Sequence, residues 1–297
     1  MESIPAPAGS RPGALIAIGG AEDKVRERVI LRHFVEACGG DDANIVVLAT
    51  ASEHAETGDR YADLFYQLHA DSVEVLRVRT REDALDADEE TLDLLEYATG
   101  FFMTGGSQLR ITSALGGTRI ADAIARRHRA GMVVAGTSAG AAAISEHMIS
   151  MGDSGGTPRR RLVQMAKGLG LTQDVIIDQH FRRRDRLGRL VTALSYNPES
   201  LGLGVDEDTA AVIDGHEMRV IGSGAVTVVD ASSLRYTDSH STHRGQPIAL
   251  LGLKLDFLTA GCRYDLAQRT GLTPEAPAPS ERMEIQYQSG EPVESWS

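Results

Sequence analysis

Short apolar runs alternate with longer segments of helical periodicity through the first half of the chain. Residues 14–18 are an uninterrupted apolar run ending in Gly19-Gly20, which predicts a buried strand and a turn. Val25, Val29, Ile30, Phe34 and Ala37 then recur at helical spacing, and Gly39-Gly40 follows as a stop signal, so a helix is predicted over 25–37. The same reasoning predicts strands over 45–49, 73–78, 101–104 and at Val133-Val134, with helices over 61–68, 91–98 and 118–129. Strands separated by helix-length segments imply βαβ units, and hence a mostly parallel sheet covered by helices on both faces.

The second half reads differently. Residues 175–177 predict a strand, followed by an Arg-rich helix reaching about Tyr196. Apolar runs then follow closely over 201–205, 210–213, 218–221 and 225–229, with Gly215-His216 marking a hairpin turn. These runs predict antiparallel strands added at one edge of the sheet. From Leu272 the chain is rich in Pro, Glu and Ser, which predicts a loosely ordered tail. No internal repeat or linker interrupts the rest. The expectation is therefore α/β: a three-layer sandwich with a mostly parallel central sheet and added antiparallel strands at one edge, one domain over 1–271 and a tail over 272–297.

Composition narrows the class of partner. The 297 residues carry 42 acidic and 30 basic side chains, a net charge of −12, so no nucleic acid is expected as a partner. The start of the chain shows no apolar run behind a basic end, and no stretch reaches the length a membrane span needs, so no membrane is expected either. Cys38 and Cys262 are the two cysteines, too far apart in sequence for a disulfide framework and outside any metal-ligand spacing. A cytoplasmic, reduced, soluble protein without metal or organic cofactor is the expectation. Oligomeric state is left open, a homodimer included.

The most informative segment is Val133-Val134-Ala135-Gly136-Thr137-Ser138-Ala139-Gly140-Ala141. An apolar strand runs into Gly-x-Ser-x-Gly and then into an alanine-rich helix start, the context that makes this motif a nucleophile elbow. The glycines allow a tight turn that lifts the Ser138 hydroxyl out of the sheet end. The Ala139 N–H would face an oxyanion formed there, and a second donor is expected from the Gly105-Gly106 turn, at Gly106. A bare glycine turn is the plainer reading, but the strand before and the small residues after favour a nucleophile. A phosphate loop is disfavoured because no Lys follows the glycines as a Walker motif requires.

A serine hydroxyl needs a general base. His180 follows the predicted 175–177 strand directly, and strand carboxyl ends line the ligand crevice of an open parallel sheet. The other histidines fall in helices, polar loops or a hairpin turn. Two carboxylates compete for the third place: Glu207, at the end of another strand, and Asp153, which would give the chain order Ser, Asp, His. Asp178 lies too close to His180 in sequence to be an easy partner.

Five segments together resemble the cyanophycinases, relatives of the aspartyl dipeptidases with a fold similar to class I glutamine amidotransferases. They are Gly19-Gly20-Ala21-Glu22-Asp23-Lys24, Thr104-Gly105-Gly106-Ser107-Gln108-Leu109, the Gly136–Ala141 elbow, Asp178-Gln179-His180-Phe181 through Arg189, and Gly204-Val205-Asp206-Glu207-Asp208-Thr209-Ala210. The resemblance implies a serine peptidase with Ser138 as nucleophile, His180 as base and Glu207 as orienting acid. It also implies substrate-binding roles for Gln108, Asp178, Gln179, Arg184, Arg186 and Arg189. The implied substrate is the cyanophycin polymer, a poly-aspartate backbone with arginine on each side chain, and the implied product is the β-aspartyl-arginine dipeptide. Short aspartyl or isoaspartyl peptides are the alternative. Ser107 and the Gly155-Gly156 pair depart from the expected pattern and bear on substrate fit. Chemically, such a substrate needs a site of both signs: arginines could fork onto its carboxylates, with Asp178 or another acid meeting its guanidinium groups. On a helix, Arg182, Arg186 and Arg189 would share a face.

Overall fold

A computed structural model describes residues 11–274; the expected tail beyond 274 lies outside the described residues. In chain order the first half gives β1 (Leu15–Ile18), α1 (Val29–Ala37), β2 (Asn44–Leu48), α2 (Thr57–Gln67), β3 (Ser72–Leu76), α3 (Arg81–Leu85), α4 (Glu89–Tyr97), β4 (Gly100–Met103), α5 (Gln108–Leu115), α6 (Arg119–Arg129), β5 (Val133–Thr137) and α7 (Ala139–Ile144). The second half gives β6 (His147–Gly152), β7 (Val163–Lys167), β8 (Val175–Gln179), α8 (Leu187–Tyr196), β9 (Leu201–Val205), β10 (Thr209–Asp214), β11 (Glu217–Gly222), β12 (Ala225–Asp230), β13 (Tyr236–Thr237), β14 (Leu250–Leu251), β15 (Lys254–Thr259), β16 (Arg263–Asp265) and β17 (Thr270–Leu272).

Strands β3, β2, β4, β5 and β1 lie side by side in that order, all parallel. Antiparallel β10, β11, β16 and β17 extend the sheet beyond β1. The expected α/β architecture with added edge strands is therefore present. One detail differs. The runs at 201–205 and 225–229 do not join this edge; they form β9 and β12 of a second sheet, ordered β15-β12-β9-β8. Apolar content predicts a buried strand but does not say which sheet it pairs with, because that is set by distant neighbours.

Side chains alternate across the sheet as the pleat requires. Ile16, Ile18, Val47 and Phe102 pack against Ile30, Phe34 and Phe65 of α1 and α2. The alternate residues Leu15, Ala17, Leu48 and Phe101 pack with Leu95, Ile111 and Ile124 of α4, α5 and α6, and this core continues onto Val175, Ile177 and Val226 of the second sheet. Leu190 and Leu194 of α8 cover the far face of that sheet through Ile176. No helix among the described residues is long and apolar enough to cross a membrane.

Helix α1 starts at Val29 rather than at 25, and Val25 is exposed. The cause is Asp23. Its carboxylate accepts the N–H groups of Val25 and Arg26 at 3.0 Å and of Arg28 at 2.9 Å. A short acidic side chain thus holds the 25–28 segment as a loop against its own backbone. These donors keep the Asp23 carboxyl well below the usual carboxylate range.

Candidate active site

Buried strand β5 delivers Ser138 at φ 53° and ψ −111°. A non-glycine residue there stores about 1–3 kcal/mol of strain and persists only when its surroundings fix it. The flanking glycines show why the turn can be so tight. A Cβ on Gly136 would fall 2.3 Å from the Gly140 carbonyl carbon, and one on Gly140 would fall 2.4 Å from the Met103 oxygen. The Gly105-Gly106 turn at the end of neighbouring β4 reaches the same point: a Cβ on Gly105 would sit 3.3 Å from Ser138 Cβ. Ala139, the next residue, opens α7 and is buried.

The imidazole and the carboxylate come from the second sheet. Strands β8 and β9 are parallel with Gln179 opposite Val205, so His180 and the Asp206-Glu207 turn leave the same sheet end. Ser138 Oγ lies 3.0 Å from His180 Nε2, and His180 Nδ1 lies 2.6 Å from Glu207 Oε1. With Nδ1–H donated to the carboxylate, Nε2 is left to accept the serine proton. Of the two carboxylates the sequence left open, Glu207 is the one that meets the imidazole. Asp153 is exposed just past β6, where its N–H donates to Leu162 O at 3.3 Å.

Electrostatics suit a neutral imidazole. Burial lowers the His180 pKa; the Glu207 hydrogen bond opposes this, while the charges of Arg184 and Arg186 add to the depression. For Glu207, burial raises the pKa, but hydrogen bonds from Arg183 and His180 outweigh it, so its carboxyl is held down as the anion. Arg183 donates to Glu207 Oε2 at 2.6 Å. Sequence reasoning missed this contact. The arginine run gave the signal, but helical spacing was the wrong geometry for reading it.

The run is not a helix. Residues 181–185 are turns, Asp185 has φ 47°, and α8 begins only at Leu187. The face expected to unite Arg182, Arg186 and Arg189 therefore does not form. Arg186 and Arg189 turn inward and meet Asp178. Arg189 Nε donates to Asp178 Oδ2 at 2.6 Å, its Nη2 to Oδ1, and Arg186 Nη1 sits 3.4 Å from Oδ1. Burial lowers the Arg186 pKa to about 10 against the opposing pull of Asp178. The carboxylate expected to meet a substrate guanidinium is thus already filled by two protein guanidinium groups. Arg184 alone of the three expected arginines is exposed, and its side chain pairs with no carboxylate among the described residues. Gln179 points Oε1 at Ser138 Oγ, 3.3 Å away, and Gln108 is pinned by Nε2 donating to Ile149 O and Ser150 O at 2.9 and 3.0 Å.

A stability prediction follows from the buried cluster. Asp178 and Arg189 have side chains 1% and 6% exposed. Asp178→Ala leaves two buried cations without their shared anion, so it should destabilise the fold by about 3–5 kcal/mol. Chemical denaturation of the variant checks this; a loss below about 1 kcal/mol, the worth of an exposed pair, would contradict it.

The arrangement brings a strained serine, an acceptor imidazole and an anchored carboxylate into one line. Relatives point the same way. The model of peptidase family S51 matches residues 15–221. A cyanophycinase of Trichormus variabilis is 44% identical over 263 residues, 87% of each chain. One of Geminocystis herdmanii is 45% identical over 255 residues, 85% of this chain and 93% of that one. The crystal structure of a peptidase from an acI-B1 Actinobacterium shares the fold, with a TM-score of 0.62 at 21% identity over 86% of this chain and 98% of that one. By the span of the family match and the identity to these relatives, the chain belongs to peptidase family S51.

Proposed function

We propose that the protein hydrolyses cyanophycin to β-aspartyl-arginine dipeptides by serine-type acyl transfer, in the cytoplasm. The observation that carries this is the continuous chain from Ser138 Oγ through His180 to Glu207, with links of 3.0 and 2.6 Å. Ser138 attacks the scissile carbonyl as its proton passes to His180 Nε2. The tetrahedral oxyanion faces the N–H groups of Ala139 and Gly106. His180, its positive charge offset by Glu207, returns the proton to the leaving amine, and the acyl-enzyme forms. Water then repeats the sequence and frees Ser138. The substrate's carboxylate falls to Arg184, the one arginine of the expected set with an open guanidinium, while Arg186 and Arg189 hold Asp178 and thereby the end of β8. The relatives' name gives the polymer as substrate, and both cysteines being free thiols agrees with a reducing compartment.

Incubation with purified cyanophycin should release soluble β-aspartyl-arginine, identified by mass. Cleavage of short aspartyl peptides with none from the polymer would overturn the substrate.

The pH dependence has a definite sign. A protonated Nε2 cannot accept the serine proton, so kcat/KM should fall as pH drops through the His180 pKa. That limb should lie below pH 6.5, the ordinary imidazole value, because burial and the two arginine charges lower it. Arg184→Ala removes one of those charges and should move the limb to higher pH. Superimposable profiles for the two proteins would remove Arg184 from this role.

A further inference from the structure

Strand β1 runs out into a segment that bonds the backbone of Ser138, of His180 and of the residue after Glu207. Ile18 O accepts the Ser138 N–H at 2.9 Å, Gly19 O accepts the His180 N–H at 2.8 Å, and Gly20 O accepts the N–H of Asp208, the residue after Glu207, at 2.9 Å. Three successive carbonyls thus fix the backbone beside each member. Gly20 also backs the imidazole: a Cβ there would fall 2.5 Å from His180 Cε1. Glycine at φ 93° lets this segment lie flat against the ring.

Such a frame is only as firm as its own anchor, and the anchor is Glu22. Its side chain is 1% exposed. Thr137 Oγ1 donates to Glu22 Oε2 at 2.7 Å, Lys24 Nζ sits 2.8 Å from Oε1, and the Tyr61 hydroxyl also donates to Oε1. Burial alone would raise the Glu22 pKa, but these partners hold the carboxyl down as the anion. Thr137 is the residue directly before Ser138. The carboxylate therefore joins the end of β5 to the β1 exit segment on one side and to α2, through Tyr61, on the other.

We propose that Glu22 is a positioning residue of the triad: it locks the Gly19–Gly20 segment and the Thr137–Ser138 turn to each other, so that the serine and imidazole meet at a fixed distance. Glu22 touches neither the hydroxyl nor the ring, and it acts through Thr137 and Gly20. The role rests on the serine-peptidase reading above. A buried ion with satisfied partners defines a single geometry, and catalytic contacts lose rate steeply when reacting groups shift by an ångström.

The test compares Glu22→Gln and Thr137→Val with wild type. Thr137→Val removes a single hydroxyl at nearly constant shape, so it isolates the link even where a Glu22 variant folds poorly. Three quantities are read: the rate at which a fluorophosphonate labels Ser138, kcat and KM on cyanophycin, and the thermal melt. Labelling and kcat should both fall by about 10- to 100-fold in each variant, with KM and a cooperative melt retained. Labelling at the wild-type rate in folded Thr137→Val would overturn the proposal. So would unchanged kcat with only a lowered melting point, the signature of a purely structural contact. If wild type is labelled but does not degrade cyanophycin, the substrate reading fails while the positioning role is still decided by the labelling rates. A wild-type protein that is not labelled at all removes the serine reading, and the positioning role with it.

Discussion

Ser138→Ala is expected to abolish cyanophycin hydrolysis while leaving a folded protein. The substitution deletes one oxygen whose contacts are with two side chains, His180 Nε2 at 3.0 Å and Gln179 Oε1 at 3.3 Å. The backbone strain at φ 53° is the same for alanine as for serine, and the Ser138 N–H still reaches Ile18 O. Nothing in the packing therefore changes, and the loss should appear entirely in the chemistry. Removing a triad nucleophile lowers kcat by about a million-fold. The check is soluble dipeptide release alongside a melt of the same sample. A variant that melts normally and keeps a tenth of the activity would rule out Ser138 as the nucleophile.

His180→Ala should come close to the same loss, and the double variant Ser138→Ala/His180→Ala should be little worse than either alone. In the proposed mechanism the two groups perform one proton transfer, so removing the second after the first removes nothing further. Simple addition of the two losses would place the base elsewhere. The stability consequence differs between the two changes. Gly20 is packed onto the imidazole, so His180→Ala opens a gap against the β1 exit segment, whereas Ser138→Ala opens almost none. A lower melting point for His180→Ala than for Ser138→Ala is part of the expected result.

Much of this was legible in the sequence, for physical reasons that differ by residue. Parallel strands buried on both faces read as unbroken apolar runs, and so β1, β2, β4 and β5 stand out. Ser138 stands out because its turn demands glycine at Gly136 and Gly140, and those glycines are written in the chain. His180 stands out because it follows a strand end. The arginine run misled, because periodicity assumes a helix that positive φ at Asp185 forbids, and because the partner of Arg186 and Arg189 is a buried carboxylate on another element. Helix α5 was missed: its start is hidden by the Gly105-Gly106 turn and its end by Gly116-Gly117. Strands β16 and β17 were missed because each is three residues long with no apolar run to mark it, β17 lying at the sheet edge and β16 just inside it.

Ser138 stands on the large sheet and His180 with Glu207 on the small one, so the hydrolytic line exists only where the two sheets adjoin. Read in order of synthesis, the strands around the elbow are complete by Thr137, but the strands that present the histidine and glutamate, with the pairing that supports them, are not complete until Asp230 has been added. The hydroxyl therefore comes from an earlier stretch of chain than the imidazole and carboxylate, and the two are joined only across the seam between the sheets. Neither sheet alone holds both the hydroxyl and the imidazole, so their 3.0 Å contact is only as constant as the packing of one sheet against the other.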